Sequence, residues 1–169
     1  MPASPKWQLF RRLISMPKES GSFAGWQVRV RLDGKESARI FVRKSSFVSG
    51  PPLSFDSEYA GITSLEYVLG AIGADMVTGI KRLAGLRRIE IADIEAVVEG
   101  NLNNPLVFLG VVGEEGHPGL ERIQVKMYVS SFHEKKEVEA LWKEMLRTSP
   151  LVRTFQPALD FQMELRVTI

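Results

Sequence analysis

The stretch Thr63–Gly85, TSLEYVLGAIGADMVTGIKRLAG, constrains the fold more than any other part of the chain. Leu65, Leu69, Ile72, Met76, Ile80 and Leu83 recur at steps of three and four, the spacing of one face of an α-helix. Val68, Ala71, Ala74 and Val77 widen that stripe, so the pattern predicts a helix buried nearly all round. Gly70, Gly73 and Gly79 each cost about 1 kcal/mol against alanine in a helix interior, which argues for close packing against another backbone. Thr63 and Glu66 fit a capping box at the helix start, and Gly85 fits its C-cap. Asp75 is the one charge in the middle of the stretch, and a buried carboxylate is expensive unless paired or protonated. In a domain of this size, a helix covered on every side needs help from a second subunit. The expectation is a homodimer with this helix near the interface.

Around that helix the chain divides into an N-terminal appendage, residues 1–24, and one domain, residues 25–169. In the appendage Trp7, Phe10, Leu13 and Ile14 share a helical face flanked by Lys6, Arg11 and Arg12. So short a basic helix suits docking on protein better than lying on a membrane. Gly25–Lys44 reads as a hairpin turning at Asp33-Gly34, with an apolar face and a face of Arg29, Arg31, Arg39 and Arg43. Ser45–Gly61 reads as loop with a short strand at Leu53–Phe55. Ile89–Leu102 is a long strand broken near Ala92-Asp93. Asn101–Gly119 is an insertion holding the apolar run Leu106–Val112. Ile123, Val125, Met127 and Val129 mark another strand. Ser131 and Glu134 form a second capping box, opening a helix with Val138, Leu141, Trp142, Met145 and Leu146 on its face; Pro150 ends it. Leu159 to Ile169 alternates without a fault as the last strand. Antiparallel strands with segregated helices give an α+β fold.

Composition removes several functions. The chain has no cysteine, which excludes disulfides, thiolate metal sites and thiol mechanisms. His117 and His133 lie far apart, so no metal site is expected. There is no P-loop, G-x-G-x-x-G or G-x-S-x-G, and no cofactor is expected. Residues 1–50 hold ten Lys/Arg and three Asp/Glu, the remainder twelve and seventeen. The basic part reads as arginines pairing with acidic surface elsewhere rather than as a nucleic-acid site, since no reading module is present. No apolar run reaches the length of a membrane span, and no signal peptide is visible. The expected location is the cytoplasm, with no membrane partner.

Three stretches in order resemble the OsmC/Ohr superfamily of osmotically inducible and organic hydroperoxide resistance proteins. FDSEYAGITSLEYVLGAIGAD, Phe55–Asp75, is similar to that family's acidic loop, helix start and Ala-Leu-Gly-Ala-Cys run. IEIADIEAVVEGNL, Ile89–Leu102, is similar to its long strand ending in a Gly-Xaa-Leu turn. SPLVRTF, Ser149–Phe155, is similar to its Cys-Pro-Val-Xaa-Xaa-Thr-Leu motif. The resemblance covers residues 25–169 and implies strand layers around two central helices in an intertwined homodimer. It also implies a pocket at the dimer interface, where peroxidase members use two cysteines, a Glu and an Arg. Here Asp75 stands at the first cysteine position and Ser149 at the second, while Glu66 matches the family's Glu. No arginine can be placed.

The candidate site residues are therefore Asp75, Glu66 and Ser149. Thiol peroxidase chemistry needs a sulfenic acid and a disulfide, which carboxylate and hydroxyl cannot form. The expected function is binding of a small, largely apolar or anionic ligand in an interface pocket. One alternative is a non-redox enzyme using Asp75 and Glu66 as acid and base; another is resistance to organic hydroperoxides. Glu66 and Asp75 are nine positions apart, which places them on opposite helix faces and disfavours a dyad within one subunit.

Overall fold

The computed structural model describes residues 25–168. Its elements are β1 (Arg29–Leu32), β2 (Ala38–Val42), β3 (Ser45–Ser49), α1 (Ser64–Arg87), β4 (Asp93–Leu102), α2 (Pro105–Phe108), β5 (Leu120–Ser130), α3 (Lys135–Thr148), α4 (Pro150–Phe155) and β6 (Asp160–Thr168). The expected appendage, residues 1–24, lies outside the described residues. The strands form two sheets of three, ordered β1-β2-β3 and β4-β5-β6.

The second sheet carries the core. Ile123, Val125, Met127 and Val129 alternate along β5 and are at most 1% exposed, because β5 is the middle strand and both helices cover its inner face. Ile72, Met76 and Ile80 of α1, Val138, Leu141 and Met145 of α3, and Val152 of α4 close over them. Ile94, Ala96 and Val98 of β4 and Phe161, Met163, Leu165 and Val167 of β6 extend this layer at lower burial. The outer face is polar, with Arg122 bonded to Asp160 and Gln124 to Gln162 across β5 and β6.

The fold is the expected α+β, but one strand pair departs from the antiparallel expectation. β6 runs parallel to β5, with Ile123 opposite Phe161 and Val129 opposite Val167. The connection through α3 and α4 returns the chain to the starting end of β5, as a parallel pair requires.

The expected hairpin is present, with β1 and β2 antiparallel and Leu32 opposite Ala38. Its loop is closed by Asp33 N–H to Ser37 O at 2.8 Å, with Gly34 at φ 87°. Several local expectations shift for physical reasons. A tight turn comes after β2, at Arg43-Lys44, where Arg43 takes φ 53° and leads into β3. The extra strand is thus Ser45–Ser49, and Leu53–Phe55 is not a strand. Helix α1 runs past Gly85 and ends on Arg88 in the left-handed region. The capping box of α3 is Glu134 with Glu137 rather than Ser131 with Glu134. Ser131 is occupied elsewhere: its hydroxyl donates to Glu90 O at 2.7 Å and accepts from His133 N–H at 3.2 Å. Pro150, expected only to end a helix, also begins α4.

Among the described residues of one chain, burial around α1 is one-sided, and cover of the other side is what was expected of a second subunit. Gly73, Met76, Ile80, Leu83 and Ala84 are buried, whereas Gly70, Ala71, Ala74 and Thr78 face outward uncovered. The first sheet is open as well: Trp26 is 87% exposed and Leu32 72%. Phe47 and Tyr67, with ring centroids 5.0 Å apart, tie it to α1, and Tyr67 Oη donates to Val48 O at 2.8 Å.

Met127→Ala should lower the unfolding free energy by about 2–5 kcal/mol. Glu99→Ala, on the outer face, should change it by less than about 0.5 kcal/mol. Urea denaturation of both variants checks the assignment of the two faces.

Candidate functional site

Helix α1 sets the geometry of every candidate residue. A step of nine residues turns a helix by two and a half turns. Glu66 and Asp75 accordingly open onto different flanks of α1. The first flank is a groove of about 590 Å³ bounded by Glu66, Leu69, Gly70, Gly73, Ala74, Val77 and Thr78 on α1 and by Ala96 and Val98 on β4. Gly73 is needed there, since a Cβ would lie 3.1 Å from the Val98 side chain. The second flank is a groove of about 500 Å³ between Asp75, Thr78 and Arg82 of α1 and Thr148, Ser149 and Pro150 at the end of α3. Within one chain, then, the three candidates do not share a pocket. Asp75 and Ser149 come together and Glu66 is separate.

Asp75 and Ser149 form one hydrogen-bonded unit at the start of α4. The Ser149 hydroxyl donates to Asp75 Oδ2 and accepts from Val152 N–H at 3.0 Å. Leu151 N–H donates to the same Oδ2 at 3.3 Å. Pro150 has no N–H to satisfy. The carboxylate thus supplements the Ser149 cap on a short helix, where the positive end of the peptide dipoles favours it. This is how the chain handles the charge in the middle of α1. No arginine among the described residues forms an ion pair with Asp75. The Ser149 hydroxyl is committed to two partners, and among the described residues no histidine or lysine hydrogen-bonds to it to activate it as a nucleophile.

Glu66 closes the expected capping box. Its Oε2 accepts from Thr63 N–H at 2.7 Å and from the Thr63 hydroxyl at 2.8 Å, and Glu66 N–H returns a bond to Thr63 Oγ1 at 3.2 Å. The Thr63 backbone bond first, and its hydroxyl second, hold the Glu66 carboxyl below its ordinary value of 4.5. Ser64 and Leu65 N–H are taken by the carbonyls of Pro51 and Pro52, each at 3.2 Å. The N-terminus of α1 therefore has no free donors to offer an anion.

Elsewhere, His133 Nδ1 lies 3.3 Å from Glu137 Oε2, and His117 Nδ1 accepts from Gly119 N–H at 3.2 Å. No group of three potential metal ligands occurs among the described residues. Sequence reasoning missed the contact of Arg82 with the second groove and the capping role of Ser149. The signal for the latter was present, since Ser-Pro is a cap followed by a favoured first helical residue.

Comparison with known proteins gives one family and several solved structures of similar fold. The OsmC family model, described as OsmC-like protein, matches residues 55–164. No curated protein matches in sequence. Among solved structures, an OsmC-like protein from Mycoplasma pneumoniae superimposes with TM-score 0.69 at 16% identity, covering 86% of this chain and 96% of its own. An organic hydroperoxide resistance protein OsmC from Legionella pneumophila gives 0.63 at 13% identity, covering 86% and 100%. The organic hydroperoxide resistance protein OhrB of Bacillus subtilis gives 0.56 at 16%, covering 83% and 98%. At these identities the structures establish the shared fold.

Two predictions follow from the hydrogen bonds. Ser149→Ala and Asp75→Ala should each destabilise by about 1–2 kcal/mol. The double variant should cost less than their sum, because they break one unit; chemical denaturation in a double-mutant cycle reads the difference. For Glu66, the lowered folded-state value means its contribution is complete above the unfolded value of 4.5 and fades as pH falls through the folded value. The stability gap between the parent and Glu66→Gln should be flat from pH 6 to 7 and shrink toward pH 3, measured by thermal unfolding at each pH.

Proposed function

The chain belongs to the OsmC-like protein family, and we propose that it is a member without thiol chemistry, working as a homodimer that holds a small, largely apolar ligand beside α1. One observation carries this reading. Among the described residues, two extended apolar faces are left without cover: the Gly70, Ala74 and Thr78 side of α1, and the first sheet with Trp26, Val28, Val30 and Leu32. Burying a valine or leucine fully contributes about 1.5–3 kcal/mol, and a tryptophan buries still more area. A second copy that laid its first sheet over α1 would cover both faces at once and, by symmetry, do so twice. The groove of about 590 Å³ along α1 would then lie under that cover, at a size usual for small-molecule sites.

The names of the Legionella pneumophila and Bacillus subtilis proteins speak of resistance to organic hydroperoxides. That activity does not transfer by the thiol route, since none of the 169 residues is cysteine. An acid–base enzyme built on Asp75 and Glu66 has little support. The two lie on opposite flanks of α1, and each carboxylate already caps a helix. No helix among the described residues is long and apolar enough to cross a membrane. We place the protein in the cytoplasm, with a second copy and a small molecule as partners rather than nucleic acid or membrane.

Sedimentation velocity at micromolar concentration should show a dimer. Val30→Asp with Leu32→Asp, both exposed in the single chain, should leave circular dichroism unchanged and produce a monomer. A parent chain sedimenting as a monomer would overturn the reading. Mixed with dithiol and an organic hydroperoxide, the protein should consume no more peroxide than buffer does.

A further inference from the structure

The groove along α1 holds a charge that the helix cap leaves half used. Both hydrogen bonds from Thr63 go to Oε2 of Glu66, and among the described residues nothing donates to Oε1. No described lysine or arginine forms an ion pair with this carboxylate. Away from Glu66 the lining is almost entirely hydrocarbon and backbone, with Leu69 and Val77 of α1 facing Ala96 and Val98 of β4. Thr78, at the far end, turns its hydroxyl to Ala74 O at 2.7 Å and offers no strong competing head-group site. From Glu66 to Val77 the groove follows the helix for about 16 Å at 1.5 Å per residue. Gly70 lies along this path, and a Cβ built on it meets nothing within 4 Å, so the groove is open there.

The chemistry of a ligand follows from that arrangement. An anion would meet the Glu66 charge at the mouth. A neutral hydrocarbon would cover the carboxylate without replacing the water on its free oxygen, which is costly. The geometry points to an amphiphilic organic cation as the ligand of this groove, its ammonium head on Glu66 Oε1 and its hydrocarbon tail along Gly70, Gly73 and Val77. This rests on the reading of the groove as a ligand site given above, and it replaces an undefined head group with a positive charge. The capping box makes the carboxylate a fixed partner: two bonds from Thr63 hold Oε2, so Oε1 is presented without the rotamer freedom of an untethered glutamate. A charge-assisted N–H to carboxylate bond is also the stronger kind.

Calorimetric titration of the full chain with hexylammonium, octylammonium and decylammonium, and with the matching alkanoates and alkanols, tests this. Ammonium binding should tighten by about fourfold per added methylene, the factor expected for a buried CH₂. Alkanoates should bind at least tenfold more weakly at equal chain length. Glu66→Gln keeps the cap, because glutamine also serves at that position. It should weaken octylammonium at least tenfold and leave octanol unchanged. Gly70→Leu fills the open part of the groove and should abolish binding of every head group. Alkanoates binding as tightly as ammonium, or octylammonium affinity unmoved by Glu66→Gln, would overturn the inference. Sedimentation of the same samples separates the two readings. A dimer that binds no alkylammonium overturns this inference and leaves the homodimer standing. A monomer that binds octylammonium through Glu66 does the reverse.

Discussion

The contact of α1 with the middle strand of the second sheet is what the other parts depend on. Ile72, Met76 and Ile80 lie against Ile123, Val125, Met127 and Val129, and all seven are at most 1% exposed. Helix α3 and the short α4 complete the cover by packing on α1 and on each other, with α3 also meeting β6. Because β5 is flanked on both sides, its inner positions admit neither water nor a polar group. Its neighbours β4 and β6 tolerate half-burial on the same face. The position of Glu66, Asp75 and Ser149 is inherited from this contact. Once α1 is seated on β5 by one stripe, residues nine apart along it must open on opposite flanks.

That seating also explains why two grooves exist instead of one pocket. Gly73 lets the Val98 side chain of β4 come close to α1, and a cleft is left on the Gly70 side. On the other flank, Gly79 lets Met145 of α3 approach, with a Cβ there 3.1 Å from its Cγ. Below that crossing Asp75 reaches the start of α4. The glycines of α1 thus shape both clefts by permitting close approach on one side of each. The third, Gly70, adjoins open space instead.

Much of this was legible in the sequence, and the failures share a cause. The period of three and four in Thr63–Gly85 and the alternation in Leu159–Ile169 both report burial of one face, and both became the expected elements. The parallel direction of β6 was not legible, because alternation is the same in either direction and only the chain's return path decides it. The Ser131 box failed because Ser131 serves a distant carbonyl, Glu90 O, that no local pattern reveals. Arg88 rather than Gly85 ends α1 because Leu83 and Ala84 are still packed into the core, which holds the helix together past the glycine. At the candidate site, the resemblance pointed to positions 75 and 149 but not to their relationship. A carboxylate meeting a hydroxyl across 74 residues is a tertiary fact with no sequence period.

The pairing of Asp75 with Ser149 bears on what the fold needs at these two positions. They are the two positions at which the sequence resemblance implies the family's cysteines. A covalent link there would close a loop of about 75 residues, worth about 4–5 kcal/mol in the chain-entropy account. A hydrogen bond to a charged group contributes about 1.5–3 kcal/mol. The present pair therefore supplies part of the constraint and none of the redox chemistry. It adds a function a disulfide cannot perform, since Asp75 Oδ2 and Ser149 Oγ accept the Leu151 and Val152 N–H groups that Pro150 leaves at the start of α4. Alanine at both positions would leave those two donors without partners. A tie between α1 and α4 is accordingly a requirement of the packing itself, met here by a carboxylate and a hydroxyl. That tie uses Oδ2 of Asp75 and the hydroxyl of Ser149, while on the other flank of α1 both Thr63 bonds fall on Oε2 of Glu66.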